Sequence, residues 1–131
     1  MIALDTNALV RLLTCDDARQ AERARVLLEN HADEDEAFFV ADVVLAELAW
    51  TLERAYRLER AAIGNALRSL VDNVTLRFES RELLRQALKL FDAGPAGFPD
   101  CLIAAKAAAM GCTSLATFDR RMRELPLVKI L

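Results

Sequence analysis

Four acidic residues, Asp5, Glu47, Asp100 and Asp119, stand where a carboxylate needs a reason. Asp5 ends the apolar run Ile2-Ala3-Leu4, which suits a short strand. In open α/β sheets, ligands gather at the carboxyl ends of strands. Glu47 is the one charge in VVLAELAWTL, residues 43–52, so it is expected to be a buried carboxylate. Such a group must be paired, protonated or bound to metal. Asp100 heads an alanine-rich stretch directly after Pro99, and Asp119 follows the polar Thr117 and Phe118. Gathered at one end of a sheet, these acids would repel and raise one another's pKa unless a cation neutralised them. An oxygen-only ligand set without His or Cys points to a hard ion, Mg²⁺ or Mn²⁺. Such a site activates water and offsets charge developing on phosphorus, so a phosphate ester is the fitting substrate. Plainer alternatives stand beside each assignment. Asp5 with Thr6 and Asn7 caps a helix, Glu47 pairs with an arginine, and Asp100 and Asp119 cap helical turns.

Other chemistry is disfavoured. The only histidine, His31, lies beside the acidic run Asp33-Glu34-Asp35-Glu36, a solvated loop by composition. This removes a structural zinc site and most histidine-dependent nucleophiles. Cys15, Cys101 and Cys112 form no CxxC pair and suit a reducing compartment as small buried hydrophobes. The net charge of −3 argues against binding through a broad basic field. Yet 14 of the 17 basic residues are Arg, which favours local, bidentate phosphate contacts. Arg11, just past the first acid, and Arg120, Arg121 and Arg123, just past the last, are candidates for such contacts. An exposed helix face is their alternative, shared by Arg54, Arg57 and Arg60. Phe91 reads as packing and Phe98 as packing or a base-stacking ring, while Trp50 reads as core or dimer surface.

The elements that must position these groups follow from periodicity. Strands are expected at Ile2-Ala3-Leu4, Phe38-Phe39-Val40, Val74 to Phe78, Ser114-Leu115-Ala116 and Val128 to Ile130. Helices are expected after Asp5, over Ala18 to Asn30, from Asp42 through Val44, Leu48, Leu52 and Ala55, and over Ala61 to Val71. Two more are expected from Arg81 to about Leu90, capped by Ser80, and from Asp100 to Met110, stopped by Gly111. The Gly/Pro-rich stretch from Asp92 to Pro99 is a loop, and Asp119 to Glu124 a short helical turn. The 131 residues fit one domain, with strands alternating with helices in a three-layer α/β arrangement and a mostly parallel sheet. No apolar run approaches the ~20 residues of a membrane span. The start MIALDTN does not read as a signal peptide, so a cytoplasmic protein is expected.

Four motifs in order carry a resemblance: LDTN at Leu4 to Asn7, LAELAW at Leu45 to Trp50, FPDCLIAA at Phe98 to Ala105, and TFD at Thr117 to Asp119. Together they resemble a PIN domain, most of all the VapC-type toxins of bacterial toxin–antitoxin pairs, across essentially the whole chain. The resemblance implies a single PIN-like domain over residues 1–131, with a five-stranded sheet in the order 3-2-1-4-5 flanked by helices. It implies a Mg²⁺- or Mn²⁺-dependent endoribonuclease acting on RNA, and a homodimer held in check by a small antitoxin. Asp5 and Asp100 would be the main metal ligands. Glu47 would ligate or orient the attacking water, Asp119 would assist, and Thr6, Asn7 and Thr117 would support them. Two other functions remain open on the sequence. One is a non-catalytic module whose acids receive an Arg-bearing partner. The other is a different metal-dependent phosphodiesterase.

Overall fold

Phe38 and Val40 are fully enclosed and Phe39 between them is half-buried, the mark of a strand covered on both faces. This strand lies in the first of two compact units, Met1–Glu79 and Ser80–Leu131, of the computed structural model, which describes all of residues 1–131. The first unit runs β1 (Ile2–Ala3), α1 (Thr6–Thr14), α2 (Ala18–Glu29), β2 (Phe38–Val40), α3 (Asp42–Arg54), α4 (Arg60–Val71) and β3 (Leu76–Phe78). Its three strands are parallel in the order β1-β2-β3, with Ile2 opposite Phe38 and Phe38 opposite Leu76. The second unit holds α5 (Arg81–Ala93), α6 (Phe98–Ala109), β4 (Leu115–Thr117), a 3-10 turn at Arg120–Met122 and β5 (Val128–Ile130). There β4 and β5 pair in parallel, Leu115 opposite Val128.

The α/β class and the parallel strands agree with the expectation. The strands form a three-stranded and a two-stranded ladder, where a single five-stranded order 3-2-1-4-5 was expected. Each ladder keeps its part of that order. The strands are two or three residues long, so each offers few backbone groups for pairing. No helix is long and apolar enough to cross a membrane.

Local chemistry explains the element ends. The Asp17 carboxylate accepts from the Gln20 N–H at the head of α2, and the Ser80 hydroxyl accepts from the Leu83 N–H at the head of α5. α6 begins at Phe98, two residues before the expected Asp100. Proline is tolerated in a first turn, where its missing N–H has no intrahelical partner to lose. Gly111, at φ +80°, takes the left-handed conformation that ends the helix after Met110.

In the first unit α3 buries Leu45, Leu48 and Leu52, and α4 buries Ile63, Leu67, Leu70 and Val71, as its periodicity required. In the second unit Phe91 and Phe98 are both core residues, with ring centroids 6.3 Å apart. Phe98 is therefore packing, not a base platform. α6 presents Cys101, Leu102, Ala104 and Ala105 inward, which leaves Ile103 and Met110 exposed. Cys15 and Cys112 are also exposed, so only Cys101 behaves as the expected buried thiol.

Candidate active site

In the first unit Asp5 lies two residues past the end of β1 and is the N-cap of α1, its Oδ1 accepting from the Ala8 N–H at 3.0 Å. The capping alternative is thus correct for Asp5. It does not exclude a ligand, because a carboxylate has about four acceptor positions. Thr6 is buried at the start of α1, whereas Asp5 and Asn7 face solvent.

Glu47 departs from expectation: it is exposed, not buried. Helix α3 turns Leu45, Leu48, Ala49 and Leu52 inward, and Val43, Glu47, Trp50 and Arg54 all lie outside. These four recur at helical spacing, so they form one outward stripe. Trp50 is 55% exposed, and the Arg54 guanidinium lies 6.0 Å from its ring centroid. Trp50 is therefore a surface residue rather than core. An apolar segment did not imply an enclosed one.

The second unit brings several candidates together at the end of β4. The Asp119 N–H donates to Thr117 Oγ1 at 3.0 Å, and Asp119 Oδ1 accepts from the Arg121 N–H at 2.9 Å. Its other oxygen, Oδ2, lies 3.6 Å from the Arg121 guanidinium. Thr117 thus supports Asp119 through the backbone and fixes how the carboxylate leaves the strand. Asp100 is in the first turn of α6, with Oδ2 over the Gly97 cap; a Cβ added at Gly97 would lie 3.9 Å from it.

Asp100 and Asp119 act on each other. The Asp100 carboxyl is pushed above its ordinary range by partial burial first and by the charge of Asp119 second, against a smaller opposing pull from Arg121. A helix N-terminus favours the ionised acid. The upward shift therefore means that desolvation and like charge outweigh that help. Two partly desolvated, mutually repelling carboxylates, with only oxygen donors between them, fit a hard divalent cation. Neither unit by itself gathers three or more His, Cys, Asp or Glu side chains able to hold a metal.

Arg11 is committed elsewhere. Its Nε donates to Gln20 Oε1 at 2.6 Å, and its Nη1 reaches Asp16 Oδ1 at 2.9 Å and the Tyr56 hydroxyl at 3.3 Å. Tyr56 in turn donates to Asp16 Oδ2 at 2.6 Å, and Thr14 to Asp16 Oδ1 at 3.0 Å. This cluster ties α1 to the segments that follow α1 and α3. Sequence reasoning missed Asp16 and Tyr56, because 40 residues separate them and neither sits in a motif. Arg120 and Arg121 are exposed, as their spacing suggested.

The PIN domain family profile matches residues 2–127. The chain is 30% identical, over 125 residues, to the VapC ribonuclease of Aquifex aeolicus (strain VF5), spanning 95% of this chain and 92% of that protein. Among solved structures it is similar to the crystal structure of Mycobacterium tuberculosis VapC20, a Sarcin-Ricin loop cleaving toxin. That similarity has a TM-score of 0.44 and 21% identity, and covers 93% of this chain and 91% of the other.

Proposed function

This chain belongs to the PIN-domain family, and from that premise we propose that it is a divalent-metal-dependent endoribonuclease, the toxin of a VapBC-type pair. The observation that carries the reading is the Asp100–Asp119 pair, two carboxylates held by backbone geometry in mutual repulsion. Asp5, Glu47, Asp100 and Asp119 are the proposed metal ligands and catalytic acids of one domain spanning residues 1–131, with Thr6, Asn7 and Thr117 in support. Mg²⁺ or Mn²⁺ is the proposed ion. When bound, it supplies charge that offsets the negative charge developing at phosphorus, and acidity that makes water a nucleophile.

The chain's own groups do the rest. Asp119 is oriented by Thr117 and by the Arg121 N–H, so its carboxylate would hold an ion without a search over rotamers. Asp100 is fixed by the first turn of α6. Glu47, exposed on α3, is the group proposed to orient the attacking water and accept its proton. In the hydrolysis so proposed, the water oxygen would bond to phosphorus, its proton would pass to Glu47, and the P–O bond to one ribose oxygen would break, that oxygen taking up a proton from solvent. The partners of this reading are RNA, a small antitoxin and a second copy of the chain, in the cytoplasm. A guanidinium already lies beside Asp119 in Arg121, which favours an arginine-bearing antitoxin segment as the inhibitor.

The test is incubation of total RNA with partner-free protein in Mg²⁺ or Mn²⁺, then with EDTA, beside D5N. Discrete cleavage that needs both the ion and Asp5 is expected. Cleavage surviving EDTA, or undiminished in D5N, would overturn the assignment. Cleavage of DNA but not RNA would leave a phosphodiesterase of another kind.

A further inference from the structure

We propose that the Arg121 guanidinium is a resident counter-cation, holding a place at Asp119 that a divalent ion takes over and so setting how tightly that ion binds. Both oxygens of the Asp119 carboxylate are engaged by this one residue. The Arg121 N–H donates to Oδ1 at 2.9 Å, and the Arg121 Nη2 lies 3.6 Å from Oδ2. The two contacts differ in how easily they are given up. The N–H belongs to the turn Arg120–Met122, which is pinned by the buried Met122 and by the Met122 N–H donating to the Asp119 carbonyl at 3.1 Å. The guanidinium is held by charge alone, beyond hydrogen-bond distance, on a side chain that is 64% exposed. An exposed ion pair contributes little to stability, so this group moves into water at small cost. Oδ1 therefore stays oriented by the backbone while Oδ2 is open to exchange.

The charge is also the right one for the pair. The same guanidinium pulls on Asp100, against the push of burial and of Asp119, so one positive charge serves both acids. Its neighbour in the turn is turned elsewhere: the Arg123 Nε donates to the Arg120 carbonyl at 2.9 Å. A single positive charge offsets part of the repulsion between two carboxylates, and a doubly charged ion offsets more. Exchange of the guanidinium for a divalent ion is thus favourable. A monovalent ion gains nothing, because it brings no more charge than the group it replaces. The acid pair is kept partly neutralised before the ion arrives, and the ion binds more weakly for it. This inference rests on the metal-dependent reading and adds the residue that sets the affinity of the ion.

The test is calorimetric titration of Mn²⁺ into full-length, partner-free protein at one pH and one ionic strength. Parent, R121Q, R121M, R121K and R120Q are compared. Damage to a metal site weakens binding, whereas loss of a competing cation tightens it, so the direction of the change is the readout. R121Q and R121M remove the guanidinium and keep the N–H on Oδ1. Both are expected to bind Mn²⁺ about five- to tenfold more tightly than the parent. R121K keeps a positive charge, and R120Q removes one from the same turn while leaving the Asp119 contact in place. Each should stay within about twofold of the parent.

Unchanged or weaker binding in R121Q and R121M, with Mn²⁺ bound by the parent, would overturn the role of Arg121 and leave the metal site standing. Equal tightening in R120Q and R121Q would overturn it as well, since any charge in the turn would then act alike. No binding by any of these proteins would remove the metal site and this role together.

Discussion

Asp16 and Asp100 are both acids with charged neighbours, and the protein treats them in opposite ways. Asp16 is answered from within. The Tyr56 hydroxyl, most of all, and then the Thr14 hydroxyl and the Arg11 guanidinium hold its carboxyl below the ordinary range, against partial desolvation. Asp100 is unanswered: burial and the charge of Asp119 push it up, and Arg121 only partly offsets them. A cluster that closes on itself stabilises the fold it joins. A pair left in repulsion makes folding harder, and such sites gather where function requires them. The direction of the shift therefore separates the scaffold acid from the acid proposed to serve catalysis.

The largest expected effect tests that separation by activity. D100N should lower RNA cleavage by about a hundredfold or more, since it would remove a proposed ligand of the ion. D16N should leave the rate per folded molecule unchanged. Equal losses in both would erase the distinction. Next in size is the effect of the ion on unfolding. At a hundred times its dissociation constant, a divalent ion adds about 2.7 kcal/mol to the parent's stability, read as a raised Tm, and D100N should show little of this gain. A D16N protein that responded as weakly as D100N would place both acids at the ion.

A smaller effect separates the two roles of Asp5. Asparagine is as good an N-cap as aspartate, so D5N should lose cleavage while keeping the parent's thermal midpoint. D5A should lose about 1 kcal/mol of stability as well, because the Ala8 N–H is left without its cap.

The subtlest test is pH dependence without metal. The pKa of Asp100 is raised in the fold, so its ionised form weakens folding; this penalty is complete above the folded pKa and absent well below the ordinary 3.8. The pKa of Asp16 is lowered. Its contribution is present above 3.8 and is lost as pH falls through the folded value. In urea titrations at neutral pH, D100N should therefore be more stable than the parent and D16N less stable. The differences should shrink as pH falls and both carboxyls take up protons, the D100N difference first. Shifts of the same sign would contradict the comparison.

Much of this was legible in the sequence because the signals were local. Ser80 caps its helix as its type requires, and the inward stripe of α4 is the one its apolar spacing gives. The motif acids could be singled out because each is polar in an apolar setting or sits at an element end. Glu47 shows where that reasoning stops. Helix α3 is apolar on nearly every side, so composition alone did not say which stripe would meet solvent. The spacing of Val43, Glu47, Trp50 and Arg54 held the answer. The Arg11–Asp16–Tyr56 cluster was out of reach for another reason. It is made by tertiary packing between residues far apart in the chain, and no local pattern encodes it. The early start of α6 was hidden by Pro99, whose tolerance in a first turn leaves a boundary ambiguous.

If the carboxylates of this chain serve a divalent cation as proposed, calorimetric titration with Mn²⁺ reads that binding itself. Partner-free parent, D100N and D16N would be titrated under the same buffer conditions. We expect saturable binding in the parent and in D16N, and binding at least about a hundredfold weaker in D100N. A parent that binds no divalent ion, or a D100N protein that binds as tightly as the parent, would contradict the claim.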